Sequence, residues 1–306
     1  MTVISRFLES ALPDTRKGIA LALVSNVLFV TVGVCVRYLS DTINVFQILL
    51  FRQMVFLTVL IPAIYKNIDV LLKPRMIKLH TLRVGAAFLA LLLGYVTVSN
   101  MPLAEATALG FTKVLFVAMI SAIFLKESVG KSRQLTLIVG FVGVMLVVQP
   151  SIEKMTFIYT LTGLIASLAA AVAVFCVRKI SRKEPTINLL VYQAFFVGLL
   201  ALFPSLFYWQ RPSPFELTLL ILIGGISSVA QWFGVTAYKF GEANVVSNVE
   251  YTKMMYSLLL GYCFFSEIPD LISITGAAVI VISVFLPYLP VKFAGKHRKT
   301  LVTKKN

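Results

Sequence analysis

Two lysines and a glutamate stand where charge is expensive. Lys113 and Lys253 each interrupt a long apolar run, and each follows the same pattern, Phe111-Thr112-Lys113 and Tyr251-Thr252-Lys253. A lysine at the centre of a membrane span costs roughly 2.5–3.5 kcal/mol, so an ionisable residue there points to function. Two such lysines at equivalent places would hold an anionic group between them: a carboxylate, phosphate or sulfate. An ammonium is a compact charge with three donors, suited to a ligand that must also leave. Glu250 lies three residues before Lys253 on the same helix face, so a local ion pair is the competing reading for Lys253. Gly110 occupies the equivalent place before Lys113, and no local partner is expected there. Glu250 is open to two roles, a carrier of protons or a static partner of Lys253.

Around these charges the sequence offers further polar and aromatic groups. Helical spacing puts Asn244, Ser247 or Asn248, and Tyr251 on one face, with Glu250 and Lys253 beside it. Arg52 is a third cation inside an apolar run, and Gln53, Gln193 and Gln231 are polar groups of the kind that join helices in membranes. Tyr95, Trp232 and Tyr256 could stack on a ligand, although packing is the commoner use of aromatic residues in spans. The expected substrate-binding set is therefore Lys113, Lys253, Glu250, Tyr251, Asn248, Thr112, Thr252, Tyr95, Trp232, Gln193 and Arg52.

Other chemistries find little to build on. Cys35, Cys176 and Cys263 lie in apolar segments without metal-ligand spacing, and the two histidines, His80 and His297, lie in polar stretches. No metal site, cofactor or catalytic constellation is expected, and no glycine-rich nucleotide loop occurs. Gly140 and Gly143 read as packing residues. A membrane-embedded transferase would need metal carboxylates, or a nucleophile with a base. Only 13 Asp and Glu are present, and they form no such cluster.

The elements that must position these groups follow from composition. The chain has 306 residues, 58% of them hydrophobic and 13% charged, with a mean hydropathy of +0.90. Soluble domains are about 45–50% apolar and about 25% charged, so the chain reads as a membrane protein. About 20 apolar residues make a crossing helix. Ten such runs appear, at 18–38, 44–65, 83–100, 102–125, 133–149, 156–178, 186–208, 215–238, 244–266 and 270–290.

The net charge of +15 is distributed in clusters between these runs. With both termini on the cytoplasmic side, 22 of the 28 Lys and Arg face the cytoplasm, three face the other side and three are embedded. That asymmetry fixes orientation and speaks against a nucleic-acid surface. Residues 1–17 read as a cytoplasmic segment rather than a cleavable leader, and the basic tail 292–306 as a topology signal that touches anionic lipid.

The two halves repeat. Cys35-Val36-Arg37 recurs as Cys176-Val177-Arg178, Thr42-Ile43-Asn44 as Thr186-Ile187-Asn188, and Glu105-Ala106 as Glu242-Ala243. Gln53 corresponds to Gln193, and Glu127 to Glu267. The boundaries are 18–150 for the first five-helix repeat and 151–291 for the second. Five crossings per half invert the second half relative to the first, an arrangement found in secondary transporters, with the substrate near the midplane. The expected fold is an all-α integral membrane protein of ten transmembrane helices in two inverted five-helix repeats.

From about residue 17 to 290 the chain resembles ten-helix members of the drug/metabolite transporter superfamily of the EamA type. The residues that carry the resemblance are Met101-Pro102-Leu103-Ala104-Glu105-Ala106-Thr107, Leu125-Lys126-Glu127, Phe51-Arg52, Glu250-Tyr251-Thr252 and Ser266-Glu267. The resemblance implies a central cavity lined from both halves, particularly by the fourth and ninth helices. Relatives handle amino acids, vitamins, nucleotide-linked metabolites and phosphorylated sugars. Where many of them carry a small residue or proline, this chain has Lys113 and Lys253. The expected activity is secondary transport or exchange of a small anionic or zwitterionic metabolite across the inner membrane by alternating access. Proton coupling is an open feature, and a flippase for lipid or lipid-linked metabolites is the alternative.

Overall fold

The computed structural model describes residues 14–125, 131–149, 154–181, 183–240 and 249–285. Among these the chain is all helix: α1 (Asp14–Leu39), α2 (Val45–Lys66), α3 (Ile68–Leu71), α4 (Ile77–Asn100), α5 (Leu103–Leu125), α6 (Lys131–Val148), α7 (Lys154–Ile180), α8 (Thr186–Phe207), α9 (Pro214–Phe240), α10 (Thr252–Phe265) and α11 (Leu271–Phe285). Helices are expected wherever the surroundings offer no partner for backbone groups. Seven of them, α1, α2, α4, α5, α7, α8 and α9, are long and apolar enough to cross a membrane. The apolar stretches of α6 and α11 are shorter. Large apolar side chains such as Phe203, Phe207, Phe264 and Ile282 lie exposed on the outside, as a lipid-facing surface requires.

Local sequence sets the helix ends. The Asn44 side chain accepts the Phe46 N–H and starts α2. Ser266 adopts a left-handed conformation (φ 54°) after α10, and its N–H bonds back to carbonyls of the last turn. Pro62 and Pro204 occupy the final turns of α2 and α8, where the lost backbone bond disturbs little of the helix. The ten expected spans meet two differences. The single turn α3 follows α2 without being anticipated. The ninth span was expected from residue 244, but α10 begins at Thr252 and residues 241–248 lie outside the described residues.

Packing relates the two halves of the chain. α1 packs on α9 as α4 packs on α7; α10 packs on α1 as α5 packs on α7; α2 packs on α9 as α8 packs on α4. The pairs α2–α8, α5–α10 and α6–α11 each join one helix to its counterpart. Two apolar clusters result. One lies among α1, α2, α4, α8 and α9, around Val36, Ile48, Leu49, Val197 and Ile223. The other joins α5, α6, α10 and α11 around Ala108, Val144, Met254 and Ile280. Glycine permits the closest crossings: a Cβ on Gly224 of α9 would sit 2.4 Å from Cβ of Val55 on α2, whereas one on the adjacent Gly225 would meet nothing within 4 Å.

A polar tie fixes the start of α4. Glu184, between α7 and α8, accepts the N–H groups of Arg75 and Met76 on one oxygen, and His80 Nε2 and Asn188 Nδ2 lie 3.0 Å from the other. One turn further along, Arg83 donates to the Leu189 carbonyl and to Gln193 Oε1, both on α8. Burial pushes the Glu184 carboxyl up, but the bonds from Asn188, His80, Met76 and Arg75 outweigh it and hold the group below the ordinary 4.5.

Two outcomes follow for stability, both read by thermal unfolding in detergent. Gly224→Ala destabilises by about 1–3 kcal/mol through overpacking, while Gly225→Ala is neutral or gains up to about 1 kcal/mol of helix propensity. Glu184→Ala destabilises by about 1–3 kcal/mol at pH 7, because it leaves buried donors unpaired. Since the folded pKa is lowered, the carboxylate stabilises above the ordinary value, and its contribution fades as pH falls below 4.5 towards the lowered value. The gap between Glu184→Ala and the parent closes over that acid range.

Candidate substrate site

Lys113 sits near the middle of α5, an uninterrupted helix. Its counterpart Lys253 does not: it lies in the first turn of α10, and Glu250 and Tyr251 form the turn just before it. The backbone there is tightened, with Lys253 N–H bonded to the Glu250 carbonyl and Met254 N–H to that of Tyr251. The Val249 carbonyl beside it accepts Asn26 Nδ2 of α1 at 2.7 Å and Thr252 Oγ1 at 2.7 Å.

The same turn brings the charges together. Lys113 Nζ lies 3.5 Å and Lys253 Nζ 3.7 Å from the same Glu250 oxygen, Oε2. Sequence spacing gave Lys113 no partner; the partner comes from the opposite half of the chain. One carboxylate between two ammonium groups leaves the cluster with a net charge of +1, and all three side chains are roughly a quarter to a third exposed. Lys253 also lies 5.5 Å from the ring of Phe29 on α1. The Phe111 and Tyr251 rings stack beside the charges, with centroids 5.1 Å apart, and both line a small cavity shared with Thr112, Thr136, Gly140 and Val144.

Thr112 and Thr252 take equivalent roles: each hydroxyl donates to the carbonyl three residues earlier, Leu109 and Val249. Each carbonyl accepts a second bond from the opposite half, from Ser167 of α7 and Asn26 of α1 respectively. Sequence reading did not single out Asn26 and Ser167. The signal that finds them is their separation, which matches that of the repeat.

The remaining expected residues lie elsewhere. Arg52 and Tyr95 meet where α2 and α4 pack, with the guanidinium 5.8 Å from the ring centroid. Gln193 is engaged with Arg83. Trp232 is about half exposed on α9, against Phe233. Asn248 lies outside the described residues. At the far end of α1, Arg37 pairs with Glu267 after α10, and Glu267 Oε2 accepts the Leu103 N–H at the start of α5, 2.9 Å away. That carboxylate ties three helix ends together.

A bundle of long apolar helices that keeps a charged cluster between its two halves is that of a multi-pass membrane transporter. The chain belongs to the EamA-like transporter family, whose profile matches residues 16–149 and 157–289, once in each half. It is 27% identical over 274 residues to an S-adenosylmethionine uptake transporter of Rickettsia felis, covering 90% of this chain and 93% of that one. It is 26% identical over 272 residues to the pseudopaline exporter CntI of Pseudomonas aeruginosa, covering 88% and 94%. A solved crystal structure shares the fold with a TM-score of 0.66 at 17% identity, over 90% of this chain and 98% of the other. The family and these relatives are transporters and not enzymes.

The shared carboxylate sets an order of stabilities. Glu250→Gln leaves two lysines facing each other and melts lowest; Lys113→Gln leaves one pair intact and melts between Glu250→Gln and the parent. Thermal unfolding at low salt reads the order, and the differences shrink as salt screens the charges.

Proposed function

We infer that the protein is a secondary transporter or exchanger for a small anionic or zwitterionic metabolite. It works by alternating access across the inner membrane, with both termini cytoplasmic and two inverted five-helix repeats, 18–150 and 151–291. The observation that carries the reading is the sharing of one Glu250 oxygen by Lys113 and Lys253. The cluster has one positive charge in excess. A ligand carboxylate or phosphate replaces Glu250 on one lysine, and a ligand ammonium finds Glu250 itself. Because Lys113 comes from α5 and the other two from the opposite half, a ligand bound here bears on how the halves sit together. Thr112, Thr252 and Tyr251 line the same place. Glu250, released from one lysine when ligand arrives, is the group that can carry a coupled proton.

The relatives named for S-adenosylmethionine and pseudopaline support a metabolite cargo and differ in direction, uptake in one and export in the other. Direction in this chain is therefore read by experiment. Purified protein in liposomes is tested with a radiolabelled panel of carboxylates, amino acids, phosphate esters and S-adenosylmethionine. At least one anionic or zwitterionic compound exchanges across the membrane, and Lys113→Gln and Lys253→Gln each slow it tenfold or more. Glu250→Gln removes its dependence on a pH gradient. Exchange restricted to cations, or full activity in both lysine variants, refutes the reading.

A further inference from the structure

A second cation stands without an acidic partner among the described residues. Arg52 of α2 is 7% exposed, Tyr95 of α4 is 8% and Ser227 of α9 is 2%. The Tyr95 hydroxyl lies beside both Arg52 and Ser227, and the guanidinium stands 5.8 Å from the tyrosine ring centroid. Arg52 Nη1, the Tyr95 hydroxyl and Ser227 Oγ are each buried, and none makes a hydrogen bond of good geometry, although the hydroxyl lies within reach of the other two. Arg52 forms no ion pair among the described residues.

Arginine stays charged in proteins, and an uncompensated buried charge is strongly unfavourable. Arg83, about three turns before Tyr95 on α4, shows what a structural arginine looks like in this bundle: it is similarly buried, and its two terminal nitrogens donate to Leu189 and Gln193, leaving only Nε unpartnered. Arg52 has no such arrangement. The walls around it are nonetheless fixed. Val55, one turn along α2 from Arg52, meets Gly224, one turn along α9 from Ser227, at the closest crossing of the two helices. Three donors on three helices are thus held at set positions around one unneutralised fork.

We propose that Arg52, Tyr95 and Ser227 form a second oxyanion subsite, which takes a carboxylate or phosphate group of the transported metabolite. The guanidinium fork binds two oxygens side by side, and the two hydroxyls donate to the remaining lone pairs. The subsite rests on the transport reading above and deepens it. The cargo carries an acidic group for Arg52 in addition to the group held by Lys113, Glu250 and Lys253, and so has at least two ionised groups.

Thermal unfolding of the purified full chain tests this with acetate, inorganic phosphate and glutarate, each against chloride at matched ionic strength. Anything that binds only the folded state raises its stability. In the parent the three oxyanions raise the melting temperature, and glutarate, with two carboxylates, acts at lower concentration than acetate. A different midpoint for phosphate and acetate tells which oxyanion fits better. Arg52→Gln melts at or above the unliganded parent, because a buried unpaired charge is gone, and needs at least tenfold more oxyanion for the same shift. Arg52→Lys keeps the charge but not the fork, and Tyr95→Phe keeps the ring but not the hydroxyl; both weaken the response severalfold.

The proposal is overturned if Arg52→Gln and Arg52→Lys melt below the parent while keeping its oxyanion midpoint, or if no oxyanion acts on the parent beyond chloride. Lys113→Gln and Lys253→Gln, run beside them, separate the two sites. Loss of the response in the lysine variants alone leaves the lysine cluster standing and removes this subsite. Loss in the Arg52 variants alone leaves the subsite and removes the lysine cluster.

Discussion

Charge inside a low-dielectric bundle must be shared, and the sharing of Glu250 by Lys113 and Lys253 is the constraint around which this structure is arranged. Only Lys253 has a partner in its own segment, and that partner is shared. Lys113 has glycine one turn before it, and Lys253 must also face Lys113. The carboxylate that serves both belongs to the second half, so the two halves are joined by electrostatics as well as by apolar packing. All three side chains are partly exposed, so the attraction that joins them is moderate and open to competition. A ligand that substitutes for one partner therefore changes what holds the halves together.

The halves are alike in packing and unlike in charge. Leu109 and Val249 carbonyls each take a bond from a threonine three residues on and a bond from the other half's first helix. On this matched frame Gly110 stands where the second half has Glu250, and an unbroken α5 corresponds to the tightened turn that opens α10. The positive end of α10 adds to the field at Lys253. An exact twofold pair would present two bare cations; the actual site presents two cations and one anion, which is what a zwitterion requires.

Carboxylates also fasten the helix ends, away from the cluster. Glu267 gathers the end of α1 and the start of α5 just after α10, while Glu184 holds the start of α4 at the opposite end of that helix. Each links segments from both halves. In a bundle whose helices meet apolar lipid on the outside, apolar burial alone gives weak specificity, and a few buried polar ties decide which ends stay adjacent.

Much of the fold was legible from the chain alone. Apolar runs of crossing length and the order of matched polar residues gave the helices and the division into halves, because membrane insertion reads hydrophobicity along a segment. The unusual lysines were legible for the same reason: an ionised side chain in an apolar run has a cost that does not depend on its neighbours. The tightened turn before Thr252 was not, since the matching pattern at Leu109 and Thr112 sits inside an unbroken α5. Nor was the partner of Lys113, which faces Glu250 across the contact between α5 and α10. Gln193 was legible as a polar group that joins helices, but its partner, Arg83 of α4, was not. Composition and spacing determine which segments become helices and which charges need a partner. Only tertiary packing decides which partner each one meets, because ion pairs and hydrogen bonds act over a few ångströms in space and not along the chain.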